Sequence, residues 1–220
     1  LLHLLRVEQR RLPMLFEESV LDSDTRRILE RLGGLLCRAE HEFSLVERTA
    51  LAIQLGHRKS IDLDFFCPGT FEPEPLLQSI VDAFEYDRTV AMAAQANTLN
   101  LSISGVKVDL ITYSYDRLEP PIQADGYAML SLEDIAAMKP SAVCNRGSKK
   151  DFFDIVELPN HFELAELFYF YKRKFKSRDT FHVLRSLCYF DDAEGEPDPI
   201  TLKGQSWEGV KELISEAVKA

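Results

Sequence analysis

A chain of 220 residues with 45% hydrophobic residues has enough material for one large domain or two small ones with a real core, which argues against disorder. Its 26 Lys plus Arg against 36 Asp plus Glu leave a net charge of −10, opposing non-specific adhesion to nucleic acid or anionic membrane, so an RNA partner would need a local basic patch. Cys37, Cys67, Cys144 and Cys188 lie far apart without CxxC or Cys/His spacing, which points to neither a zinc site nor a disulfide framework and fits a reducing, cytoplasmic compartment. No stretch approaches the roughly 20 apolar residues of a membrane span. "LLHLLRVEQRRLP" is too short, and too basic at its far end, to be expected as a signal peptide.

In chain order, "LDSDTRRILERLGGLLCRAE" places Ile28, Leu32, Leu35 and Leu36 at helical spacing behind an Asp/Ser cap, with Gly33-Gly34 predicting a weakened or interrupted middle. "EFSLV" reads as a short strand, and Thr49 to His57 as a helix. "SIDLDFF" alternates apolar and acidic residues, the pattern of a strand that Pro68-Gly69 ends. "EPEPLLQSIVDAF" gathers Leu76, Leu77, Ile80, Val81 and Phe84 on one helical side. "TLNLSISGVKVDLIT" then offers two period-two runs about Ser104-Gly105, predicting an antiparallel hairpin. Leu99, Leu101 and Ile103 share one face of its first strand. In the second, Lys107, Asp109 and Ile111 oppose Val106, Val108 and Leu110.

After Pro120-Pro121, "SLEDIAAMK" predicts a helix with Ser131 as N-cap and Asp134 at the capping-box position, broken or restarted by Pro140. Only helices are expected beyond it: "KKDFFDIVEL", "FELAELFYFYKRKF", "TFHVLRSLCYF" and, past the acidic loop "DDAEGEPDP", a last one around Trp207. The fold class is α+β. A mixed β-sheet domain with flanking helices, residues 1–125, is expected to precede a helical C-terminal domain, residues 126–220.

Acids on a strand that should be buried raise the question of function. Residues i and i+2 point to one face, so Asp62 and Asp64 aim the same way, and two carboxylates that close repel. Solvent or a divalent cation between them relieves that repulsion. A third acid from a neighbouring strand, Asp109, would complete a set of hard oxygen ligands suited to Mg²⁺, a centre able to activate an attacking oxygen and neutralise a leaving pyrophosphate. Taken alone, a D-x-D on an amphipathic strand is more often just its solvated face.

Several motifs in order resemble the AbiEii/AbiGii-type nucleotidyltransferases, toxins of bacterial toxin–antitoxin systems within the DNA polymerase β-like superfamily. "TALAIQLGHRKSIDLDFF" is similar to that family's opening motif, "VKVDLI" to its third-aspartate strand, and "LEDIAAMK…NRGSKKDFFDIVEL" to its helical motifs; "YFDDAE" and "WEGVKELI" extend the resemblance towards the C-terminus. The resemblance implies a nucleotidyltransferase-like fold and transfer of NMP from an NTP to an RNA, such as tRNA, or to a protein hydroxyl, with an antitoxin as partner. It implies Mg²⁺ on Asp62, Asp64 and Asp109, and Lys139 reaching phosphate. Thr49, Ser60, Arg146, Lys150, Asp151 and Asp154 complete the nucleotide-binding set. Other readings stay open: Lys139 as an exposed cation at a helix end, Asp151 as a first-turn helix acid, Asp154 as a solvated residue, and His57-Arg58 with Ser60 as a helix C-cap or as orienters of the Asp strand.

The chain departs from the family just before "TAL". The family has Gly-Gly or Gly-Ser there, letting backbone N–H groups approach the triphosphate; this chain has Glu47-Arg48, expected to repel and obstruct nucleotide. That departure supports a second reading, a weakened enzyme that works by binding. A third is an RNA-binding module using the basic and aromatic run Tyr171 to Arg178.

Overall fold

The computed structural model describes residues 20–39, 41–124, 126–177 and 179–219. The N-terminal stretch weighed above as a signal peptide and Arg178 of the basic run lie outside them. A seven-stranded mixed sheet in the order β3-β4-β5-β2-β1-β7-β6 is the frame. Its strands are β1 (Ser44–Leu45), β2 (Leu63–Cys67), β3 (Thr89–Gln95), β4 (Thr98–Ile103), β5 (Val106–Thr112), β6 (Ile122–Ala124) and β7 (Tyr127–Met129). Pairs β2/β5 and β1/β7 are parallel and the others antiparallel.

One face of this sheet makes the core. Leu63 and Phe65 of β2, Leu99, Leu101 and Ile103 of β4, and Val108 and Leu110 of β5 are buried on it, as the alternation predicts. Helices α1 (Ser23–Leu36) and α3 (Pro73–Ala83) pack there, the first beside β5 and β7 and the second beside β3 and β4. Asp22 caps α1 by accepting from Thr25 N at 2.7 Å. The helix runs uninterrupted through Gly33-Gly34. Gly33 is required by contact: a Cβ there would meet Tyr127 Cβ at 2.5 Å and Gly126 O at 3.0 Å, so glycine lets α1 lie close on β7.

Ser104 (φ +49°) and Gly105 (φ +90°) make the expected two-residue turn between β4 and β5. Three strands were not expected. β3 is alanine-rich and largely exposed, an edge strand joined to β4 with a bulge between Ala91 and Ala93. β7 corrects the expectation of helices alone in residues 126–220; it pairs with β6 on the other side of the 125/126 division and with β1.

The remaining helices are α2 (Glu47–Leu55), α4 (Leu132–Asn145), α5 (Lys149–Glu157), α6 (Leu164–Phe175), α7 (Phe181–Leu187), the short α8 (Asp191–Glu194) and α9 (Trp207–Lys219); α2 packs beside β2 and against α4 and α5. Ser131 caps α4, accepting from Asp134 N at 3.1 Å. The break expected at Pro140 does not occur: α4 continues through it to Asn145. Proline removes one N–H from the ladder, but Ala136, Ala137, Met138, Ala142 and Val143 on both sides are buried against neighbouring helices, and this packing holds the turn. Among the described residues no helix is long and apolar enough to cross a membrane.

Candidate active site

The sheet's second face carries the acids. Parallel pairing sets Asp64 of β2 directly beside Asp109 of β5, and partners in register project to the same face. Asp62 immediately precedes β2, two residues from Asp64. Its backbone is held by the Thr49 hydroxyl, which donates to Asp62 O and lies 2.7 Å from Ser60 Oγ. Thr49 and Ser60 are both buried, so as placed they fix the Asp62 segment.

Asp109 accepts from Asn100 Nδ2 at 2.8 Å and from Lys107 Nζ at 2.6 Å. Asn100 is its antiparallel partner and Lys107 its same-face neighbour two residues away. The sequence placed Lys107 on the Asp109 face, but neither it nor Asn100 was expected to bind Asp109, although their spacing around it was the available signal. Asp64 has no such compensation. Burial pushes its carboxyl up to about 6, with Glu47, Asp109 and Asp62 adding to the rise and Arg48 opposing it. Four acids thus crowd one spot. Among the described residues no three His, Cys, Asp or Glu side chains already stand in a metal-holding arrangement. The donors nevertheless suit a hard divalent cation, and the unrelieved repulsion at Asp64 is what such an ion would remove. Lys107, which holds one Asp109 oxygen, has a side chain 53% exposed.

Beside the acids lies a buried ion network. Asp154 of α5 is its hub: it accepts from His57 Nε2 at 2.8 Å, Arg58 Nε at 2.7 Å and Arg58 Nη2 at 3.0 Å. Burial alone would raise its carboxyl, but Lys139 and Arg58 overcome that and hold it well below the usual range. Neither the solvated-residue reading of Asp154 nor the helix-cap reading of His57-Arg58 survives; Gly56, at φ +60°, is the C-cap of α2. The His57–Lys59 backbone also pairs with residues 200–202, through Leu202 N to His57 O and Lys59 N to Ile200 O.

Lys139 is fully buried, which removes the reading of an exposed helix-end cation. Its Nζ is 2.7 Å from Asp154 Oδ2 and 3.6 Å from both Asp151 Oδ1 and Glu47 Oε2, yet none of these contacts is aligned as a hydrogen bond. Asp151 does stand in the first turn of α5, and it also accepts from Arg146 Nε and Ser148 Oγ, each at 2.7 Å. Against the pull of burial, the Arg146 hydrogen bond and Lys139 hold its carboxyl below the usual range. Arg146 donates onward from Nη2 to Glu47 Oε2 at 2.8 Å. Lys150 is half-buried and outside this network.

Glu47 therefore joins the two regions. It opens α2 at φ +56°, a left-handed conformation that glycine adopts freely and that costs another residue about 1 kcal/mol. Beyond Arg146 a cleft of about 370 Å³ opens between α4 and α7, lined among others by His182, Arg185 and Tyr189.

The model of the family described as nucleotidyl transferase AbiEii toxin, type IV toxin–antitoxin system, matches residues 49–214. The chain belongs to this family. It is a nucleotidyltransferase of the toxin type, on the mixed fold described above. An uncharacterised protein of Aquifex aeolicus is 33% identical over 215 residues, covering 90% of this chain and 96% of that one. Two solved structures share the fold at low identity. JHP933 from Helicobacter pylori has a TM-score of 0.58 at 16% identity, covering 90% of this chain and 92% of its own. MenT4, a nucleotidyltransferase toxin from Mycobacterium tuberculosis, has a TM-score of 0.56 at 12% identity, covering 88% and 81%.

The basic run reads differently once folded. Tyr171 and Lys174 turn inward, Lys174 donating to Asp134 Oδ1 at 2.6 Å, which leaves Lys172, Arg173 and Lys176 outside. That interrupts the continuous phosphate-tracking stripe that an RNA-binding module needs.

Proposed function

We propose that this nucleotidyltransferase moves an NMP from an NTP to a hydroxyl of an RNA or protein in the cytoplasm, with Mg²⁺ held by Asp62, Asp64 and Asp109 and with growth inhibition relieved by a cognate antitoxin. The acceptor hydroxyl oxygen attacks the α-phosphorus and gives up its proton to solvent, the bond from the α-phosphorus to the oxygen bridging to the β-phosphate breaks, and pyrophosphate leaves with that electron pair. Bound there, Mg²⁺ would lower the pKa of the attacking hydroxyl and neutralise charge on the leaving group. The chain's own residues bind and orient. Lys139 and Arg146 face the phosphates as cations, Asp151 and Asp154 hold those cations in place, and Thr49 and Ser60 fix the backbone from which Asp62 projects.

The observation that carries this reading is the parallel register of Asp64 with Asp109, two acids side by side on one sheet face without enough cations to neutralise them. Each α-labelled NTP, incubated with Mg²⁺, total cell RNA and protein, tests it: the native chain should label one acceptor class and Asp64→Asn should label none. Label that persists in Asp64→Asn would remove Asp64 from the reaction. A second reading, a weakened enzyme acting by binding, draws support from the Glu47 carboxylate on Arg146 and Lys139; it expects no label with either protein.

A further inference from the structure

The charges around Lys139 balance only if Glu47 is included. Arg58, Lys139 and Arg146 supply the cations; Asp151, Asp154 and Glu47 supply the carboxylates, all within one connected network. Asp151 and Asp154 are fully buried and bound from several sides, so they are fixed. Glu47 differs from them in each respect. Its side chain is 15% exposed, it sits on a strained left-handed backbone, and it meets the network only through Arg146 Nη2 and the long contact to Lys139. Lys139 Nζ, meanwhile, is buried without an aligned hydrogen-bond acceptor. A buried ammonium in that state is a donor awaiting a better-placed oxygen.

Resting on the nucleotidyl-transfer reading above, we propose that the Glu47 carboxylate is a resident anion that occupies the phosphate position between Lys139 and Arg146, so that nucleotide enters only by displacing it. The group it stands in for is a phosphate oxyanion. With Glu47 swung out, the network carries one uncompensated positive charge and two donors, Lys139 Nζ and Arg146 Nη2, which lie 3.6 and 2.8 Å from the oxygen position it leaves. With Glu47 in place, the same carboxylate also adds its negative field to Asp64. The side chain thus opposes ligand twice, once by filling the anion position and once by repelling the phosphates from the acids' side. The displaced carboxylate has somewhere to go, because Arg48 beside it also faces Asp64 and the first turn of α2 borders solvent.

Glu47→Gln keeps the shape and removes the charge; Glu47→Gly removes the side chain and relaxes the backbone. The probe is inorganic tripolyphosphate with EDTA, titrated calorimetrically into the full chain, so that no metal bridges the probe to the acids and their repulsion is common to every variant. The proposal expects at least tenfold tighter binding by both variants than by the native chain, and loss of that gain when Arg146→Gln is added. Equal or weaker binding by Glu47→Gln overturns it, as would failure of both variants to fold, since Glu47 would then be an indispensable counter-ion and not a displaceable one. Labelling assays separate this from the reading beneath it. Tighter tripolyphosphate binding with no NMP transfer by any of the proteins leaves the displaceable anion standing and removes transfer, whereas equal affinities with normal transfer do the reverse.

Discussion

Two groups of acids lie within one region of this molecule and have opposite fates. Asp151 and Asp154 are more deeply buried than Asp64, yet their carboxyls are held low, because Arg58, Arg146, Lys139 and His57 surround them. Asp64, flanked by Glu47, Asp109 and Asp62, is pushed up to about 6. Burial acts in the same direction on all three. What differs is the sign of the neighbours, and that difference separates a compensated pair of acids from one left among like charges, the one to which the proposed function gives a ligand.

The sharpest way to break this contrast is at the compensated end. Asp154→Ala leaves Arg58, Lys139 and His57 buried without their shared acceptor, and should cost about 3–5 kcal/mol, the usual scale for breaking a buried pair on one side. Urea unfolding of the native chain and the variant measures it. The sign with pH follows from the lowered carboxyl: its contribution is present above the ordinary aspartate range near pH 4 and is lost as pH falls through the lower native value. A variant within 1 kcal/mol of native would show that the network is not what joins α5 to the segment after α2.

At the uncompensated end the effect is smaller and of opposite sign. Asp64→Asn removes a charge that the folded state disfavours, so the variant should be more stable at pH 7, by about 1–3 kcal/mol for a shift of this size, while transfer is lost. A carboxyl raised in the native state binds its proton more readily there than in the unfolded chain. Native stability should therefore rise as pH falls from about 6 towards 4, and the advantage of Asp64→Asn should vanish over that window. Thermal melts at pH 7 and pH 4 test it; a variant less stable than native at pH 7 would mean that Asp64 holds the sheet.

Much of this contrast was legible in the sequence and some was not. Period-two alternation placed Asp64 and Asp109 opposite the Leu63, Phe65, Val108 and Leu110 face, because one buried face fixes a strand's register. Hidden were features that depend on partners distant in sequence. β3, β6 and β7 are short or alanine-rich strands held by backbone pairing, with little pattern of their own. Gly33 looked like a helix weakness because Tyr127, which needs the space, lies far along the chain. The run through Pro140 rests on packing that no local rule reports. Glu47 was visible as a departure from a glycine pair, but only its φ of +56° and its contact with Arg146 show that it keeps glycine's conformation and adds an anion.

The smallest effect concerns Asp109, the acid intermediate between the two groups. It shares its sheet face with Asp64 but already has Lys107 Nζ at 2.6 Å. With that lysine side chain about half exposed, the pair should contribute no more than about 1 kcal/mol, as exposed ion pairs do, so Lys107→Gln should leave folding stability nearly unchanged. Its consequence should appear in metal binding. A cation taking Asp109 must first displace the ammonium, and removing that competitor should tighten Mg²⁺ by up to about fivefold, the same energy expressed as an equilibrium constant. Calorimetric titration of Mg²⁺ into the native chain and Lys107→Gln checks it. Weaker Mg²⁺ binding by Lys107→Gln would instead mean that Lys107 holds Asp109 in its ligating position, and would move Asp109 from the uncompensated group into the structural one.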